Sequence, residues 1–264
     1  MSPERIAVPF TKASACGNDF LMIDGALAPP DISRFTQRIC DRHNGVGADG
    51  VEWLFPASEA DVEARLINAD GSEAEISGNG TRCVAAHVCA EKGKESVTIQ
   101  TGAGMKTCTL TGRKGNVYEF EIAMGAPEFI AELTIPTSFG EVRGAAVSMG
   151  NPHFVVFVSE LWPDWQARAA EIQRNSYFKH GVNVELLVVQ DRRNIKASFF
   201  ERGVGETQSS GTGSSAAAVA AITSGYADSP VRVHAPGGTQ SVRFENEVFL
   251  RGPAELICQG DFFV

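Results

Sequence analysis

The chain has 264 residues, a length between one large domain and two small ones. Hydrophobic residues make up 43% and charged residues 21%, ordinary globular usage that excludes disorder, collagen and coiled coil as whole-chain descriptions. The formal net charge of −9 weighs against a partner with a phosphate backbone or an anionic membrane surface, so neither nucleic acid nor membrane is expected.

In chain order, the opening MSPERIAVPF lacks the basic and apolar regions of a signal peptide, and no apolar run approaches the ~18 residues of a membrane helix; a cytoplasmic protein is expected. A helix is expected over about 30–43. NADGSEAEISGNGTRCVAA (68–86) then leads from a glycine-containing loop into a helix over 79–92. VTIQTG (97–102) and VYEFEIAMG (117–125) alternate like strands, and the composition changes across GAPEFIAELTIP, near 125–135. AAVSMGNPHFVVFV (145–158) reads as one long strand, followed by a helix over 163–174 and a strand at IKASFFERG (195–203). ERGVGETQSSGTGSSAAAVA (201–220) leads into a helix over 211–225, and VRVHAPG (231–237) and VRFENEVFLRG (242–252) close the series as strands.

The two loop-to-helix segments echo each other. Each passes from a polar glycine-containing stretch through an acidic residue to Ser-Gly-x-Gly and an Ala-rich helix, and the serines, Ser77 and Ser210, lie 133 residues apart, almost half the chain. Duplication of one half-molecule explains the interval. Both helices are small-residue rich on all sides, as helices enclosed by sheet are. The expected fold is α+β in two duplicated halves (1–130 and 131–264, the terminal strands free to cross between them), with one buried helix enclosed by sheet in each.

A small-residue loop running straight into a helix leaves backbone N–H groups pointing forward at the positive end of the helix dipole. Singly, such a loop reads as an ordinary serine N-cap; as a matched pair, one from each half across a cleft, the loops read as an anion site. Competing motifs fail on context. GTGSSA (211–216) and GVGADG (45–50) carry dinucleotide-loop letters without the strand, helix and acidic residue such a loop needs, and no GKS or GKT is present. SYFK (176–179) lacks the partners of an SxxK acyl-transfer site. Cys83, His87 and Cys89 do not share one helix face, and no CxxC occurs among the six cysteines, so no metal is expected.

ASACGNDFLMIDG (13–25), CDRHNGVGADG (40–50), NADGSEAEISGNGTRC (68–83), GNPHFVVFV (150–158), GVNVELL (181–187), ERGVGETQSSGTGSSAAAVAA (201–221) and FLRGPAELICQGDF (249–262) together resemble diaminopimelate epimerase, in order and across nearly the whole chain. The resemblance implies a cofactor-independent amino-acid epimerase of the lysine and peptidoglycan pathway, a PLP-independent isomerase that interconverts LL- and meso-diaminopimelate by two-base α-proton transfer. It places the family's two catalytic cysteines at Ser77 and Ser210, with His153 and Glu201 beside the reacting carbon. It implies substrate contacts from Asn18, Asn68, Gly78, Asn79, Asn151, Asn183, Arg202, Gly211 and Thr212. Amides and one Arg suit a zwitterionic substrate with a second carboxylate at its far end. The departure is chemical: a thiol titrates near ~8.5 and is readily drawn down at a helix N-terminus, whereas a hydroxyl lies several units higher and needs an external base. The two serines are therefore expected to impair the activity. Two other readings stay open, a one-base isomerase or dehydratase of a small carboxylic acid, and a catalytically silent amino-acid-binding relative. The expected partner is a small-molecule amino acid, and a homodimer is one compatible assembly.

Overall fold

The computed structural model describes residues 7–264. The described residues form two compact units, 7–122 with 252–264 and 123–251.

The first unit runs through β1 (Ala7–Ala15), β2 (Asn18–Asp24), α1 (Ile32–Cys40), β3 (Gly50–Phe55), β4 (Val62–Asn68), the short β5 (Glu73–Ala74), α2 (Gly78–Lys92), β6 (Ser96–Thr101), β7 (Gly104–Lys114) and β8 (Val117–Gly125). β1–β2, β3–β4, β6–β7 and β7–β8 pair antiparallel, while β2–β3 and β4–β6 pair in parallel across α1 and α2. A parallel pair needs a crossover longer than a hairpin, and the helices supply it.

The second unit repeats the series with β9 (Phe129–Thr137), β10 (Gly140–Ser148), β11 (Pro152–Phe157), α3 (Trp165–Gln173), β12 (Asn183–Asp191), β13 (Asn194–Glu201), β14 (Gly205–Thr207), α4 (Gly211–Thr223), β15 (Val231–Ala235), β16 (Gly238–Phe244) and β17 (Val248–Phe263). Its parallel pairs, β11–β12 and β13–β15, again span a helix each, α3 and α4. The last part of β17 belongs to the first unit, where it pairs antiparallel with β1. There Leu256 N–H donates to the Asn116 carbonyl at 3.0 Å, which brings β17 back beside the start of β8 and closes the ring of strands.

The strands of each unit enclose its helix. Asn79 through Ala86 of α2 are all buried, as are Gly213 through Ala221 of α4, so neither helix has a solvent face along these stretches. Small side chains are what such a site admits, because a helix buried along its whole circumference must lie close to its neighbours on every side. α4 packs through Ala216–Ala221 against Val155, Leu187, Phe199, Val233 and Leu250. α2 ends at Gly93, whose φ of +65° forms a left-handed C-cap returning its N–H to the Cys89 carbonyl.

Two strand expectations are corrected. The run over 145–158 is two strands, β10 and β11, folded back on each other at a turn where Gly150 takes a φ of +86°. The run over 242–252 is likewise broken into β16 and β17, paired antiparallel with Phe244 opposite Val248. Alternation continues through a tight turn whenever the paired residues flanking it are an even number of positions apart, as Ser148 and Pro152 and also Phe244 and Val248 are, so hydrophobic period alone reads the hairpin as one strand.

Candidate active site

In the first unit, Ser77 is the N-cap of α2 in extended conformation, and its hydroxyl accepts the Gly80 N–H at 3.1 Å. Asn79 is 4% exposed; its amide donates to Asn18 Oδ1 at 2.7 Å, and Asn18 donates in turn to Asp49 Oδ2 at 3.0 Å. Arg82, one turn further on, is fully buried and donates to Asn79 Oδ1 and to the Gly78 and Pro253 carbonyls. No carboxylate among the described residues pairs with it. A buried guanidinium and the positive end of the α2 dipole thus converge on the Gly78–Gly80 loop, which favours an anion there. Asn68 ends β4 and donates to Ser72 Oγ at 3.0 Å.

The second unit carries the matching set. Ser210, N-cap of α4, accepts the Gly213 N–H at 3.1 Å. Asn151 donates to Thr212 Oγ1 at 3.4 Å, and Asn151 Oδ1 faces His153 Nε2 at 2.9 Å. His153, 1% exposed, has its Nδ1 at 2.7 Å from Glu185 Oε1; Glu201 stands near enough that its charge helps to raise the Glu185 titration, which burial raises most. Asn183 Oδ1 accepts the Arg202 backbone N–H at 2.8 Å, and the Arg202 guanidinium donates to the His180 carbonyl at 3.0 Å. Gly211 opens α4 beside Ser210.

The interval of 133 residues recurs throughout this comparison. It separates Ser77 from Ser210, and also Asn18 from Asn151, Asn68 from Glu201, Asn79 from Thr212 and Gly80 from Gly213. It also separates two residues absent from the motif reading, Glu52 on β3 and Glu185 on β12, which are 3% and 1% exposed. A lone Glu in a strand reads as a solvent-facing residue. The available signal was the repeated V-E-x-L, in GVEWL (50–54) and NVELL (183–187), at the same interval as the serines.

The cysteines do not replace the missing thiolates. Cys16, 3.6 Å from an Arg82 nitrogen, has its titration raised by burial despite that cation, and burial holds Cys40 and Cys108 at about 12. A groove of about 820 Å³ in the first unit is lined by His87, Glu91 and Lys92 at the far end of α2. At 1.5 Å of rise per residue it lies roughly 15 Å from the Ser77 end, so it is separate from the loop.

The family model of diaminopimelate epimerase matches residues 10–130 and 145–257. Diaminopimelate epimerase of Pelotomaculum thermopropionicum is 37% identical over 96% of this chain and 98% of its own, and that of Caldanaerobacter subterraneus is 35% identical over the same shares. Among solved structures, a PhzF-family phenazine biosynthesis protein of Bacillus anthracis superposes with a TM-score of 0.74 at 15% identity, covering 98% of this chain and 100% of that one. A hydroxyproline epimerase of Agrobacterium vitis superposes with a TM-score of 0.69 at 17% identity, covering 100% and 94%. At such identities the structural likeness shows the fold.

Proposed function

Because the chain belongs to the diaminopimelate epimerase family, we propose that it binds diaminopimelate and inverts one α-carbon by proton transfer without PLP, in cytoplasmic synthesis of lysine and peptidoglycan precursors. The observation that carries this reading is the pair of Ser-Gly-x-Gly loops, each capping a buried helix and each braced by an asparagine, Asn18 or Asn151, at the same interval. The backbone donors of such a loop suit the substrate's carboxylate, and a group above each face of the carbon suits inversion. Arg202 suits the distal carboxylate, taken in bidentate fashion. With serine in place of the family's cysteine the transfer is slow, because a neutral hydroxyl is a weak base.

A second reading, a one-base isomerase or dehydratase, draws on the His153–Glu185 couple, which has no histidine counterpart in the first unit: Phe20 stands 133 residues before His153. The test is solvent deuterium incorporation at the α-carbon of diaminopimelate, by the native chain and by a Ser77→Cys, Ser210→Cys chain. Slow incorporation with inversion, raised at least ~100-fold by the two cysteines, is the expected result. Incorporation without inversion in both chains favours the one-base reading, and binding without incorporation in both favours a silent binding protein.

A further inference from the structure

Beneath each serine loop lies a sealed carboxyl. A Cβ placed on Gly80 would fall on Glu52 Oε1, with Ser77 Cβ 3.2 Å from the same point. A Cβ on Gly213 would stand 3.0 Å from Glu185 Oε1 and 3.0 Å from Ser210 Cβ. Glycine at these two positions therefore lets a carboxyl lie against the helix N-terminus next to the capping serine. Glu185 Oε2 is buried with no hydrogen-bond partner among the described residues. The orphaned oxygen of Glu185 is costly, and a duplicated fold that keeps a buried carboxyl at the same place in both units retains it for more than packing. We infer that Glu52 and Glu185 hold the protons that Ser77 and Ser210 exchange with the substrate, each carboxyl serving the hydroxyl of its own unit. This rests on the proton-transfer reading above and supplies the external base that serine requires.

The two carboxyls are not equivalent. An amide oxygen only accepts, so the contact with Asn151 Oδ1 puts a proton on His153 Nε2, and the 2.7 Å contact of Nδ1 with Glu185 shares a second. The second-unit couple is therefore loaded. Among the described residues Glu52 has no such histidine partner; burial raises its titration, to about 8. In the reaction the α-C–H bond breaks, its proton goes to Ser77 Oγ as the Ser77 hydroxyl proton passes to the Glu52 carboxylate, and the electron pair stays on the α-carbon. In the second unit the Ser210 hydroxyl proton goes to a carbanion and forms a C–H bond, and Ser210 is reprotonated from the His153–Glu185 couple. Glu52 gains what the couple loses, and the reverse reaction restores both.

Glu52 must be ionised for this step, so exchange rises with pH through about 8. Glu52 acts on the Cys83 thiol of α2, as do Arg82 on α2, Cys16 in the turn before β2 and Asp19 on β2, while burial is the cause of the rise in Glu52 itself. The strand positions paired with Glu52, Met22 and Leu66, are apolar.

The test measures α-deuterium exchange of diaminopimelate against pH, with binding followed by calorimetry, in the native chain, Glu52→Gln and Glu52→Asp. The expected result is a rising limb near pH 8 that Glu52→Gln abolishes with a rate loss of ~100-fold, diaminopimelate affinity within about threefold, and partial recovery in Glu52→Asp. In parallel, carbon-13 NMR of the glutamate-labelled full chain should show one carboxyl titrating near 8 that is lost in Glu52→Gln and moved by Ser77→Ala. Exchange indifferent to Glu52→Gln, diaminopimelate bound without any exchange, or no glutamate titrating above the ordinary range overturns the inference. If diaminopimelate fails to bind the native chain, the substrate reading falls, and the response of the Glu52 titration to Ser77→Ala still decides the proton couple.

Discussion

Glu52 illustrates how a single residue can set function against stability. A glutamate in an unfolded chain titrates near ~4.3, while in the folded chain Glu52 titrates at about 8 because burial disfavours its charged form. Between those values the folded state holds a proton that the unfolded state has released. Its contribution to stability is present in full below the unfolded value and is lost as pH rises through about 8. Glu52→Gln, neutral at every pH and of the same shape, should therefore unfold much like the native chain at about pH 4 and resist denaturant better at about pH 9, by up to roughly 5 kcal/mol. Denaturant midpoints at the two pH values check this, and an equal shift at both would mean that Glu52 is not carrying the titration.

At the scale of elements, the serine-capped helices and the strands beneath them are matched through glycine. α2 could be capped by Ser77 with any residue at position 80, yet a methyl group there would fall on Glu52 Oε1. Gly80→Ala should displace the carboxyl or the first turn of the helix, at a cost of about 1–3 kcal/mol. Shortening the opposing side chain as well, in Gly80→Ala with Glu52→Ala, should recover part of that loss, so the double variant is less destabilised than the sum of the single ones. Additive losses in a thermal unfolding cycle would show that the glycine serves only backbone freedom. The helices themselves were legible in the sequence: small residues on all sides of 79–92 and 211–225 announced enclosure, and α2 and α4 are enclosed. The hairpins at Gly150 and at 245–247 were not, because their turns preserve the alternation of the flanking strands.

For the molecule as a whole, duplication governs the strand order and burial governs the chemistry of the thiols. Five of the six cysteines are buried, and only Cys258, on the outer course of β17, is exposed. Burial keeps Cys16, Cys40, Cys83, Cys89 and Cys108 protonated and out of reach of solvent, so none of them is a nucleophile at neutral pH. Brief treatment of the folded chain with iodoacetamide should add one label, at Cys258, and treatment of the denatured chain should add six. A second rapid label on the folded chain would place another thiol within reach of solvent and, if at Cys16, would put a reactive sulfur next to Asn18.

The sequence by itself determined the duplication, the two Ser-Gly-x-Gly helix starts and the family, because these rest on local patterns: glycine where the chain must turn into a helix, small residues where a helix is enclosed, and motif blocks in a recognisable order. It also located Asn18, Asn79, Asn151, His153 and Thr212, whose contacts lie within each loop region and its neighbouring strand. The tertiary structure decided which carboxyl stands with His153, Glu185 rather than the motif residue Glu201, and it brought Glu52 under Ser77. Those partners come from strands 25 residues before each serine in the chain, and only the parallel crossover through the ring sets them against the helix N-terminus. Burial then makes their protons matter. A strand glutamate carries no mark of whether its face will meet water or a helix, and that difference alone separates an ordinary carboxylate from one that holds its proton to about pH 8.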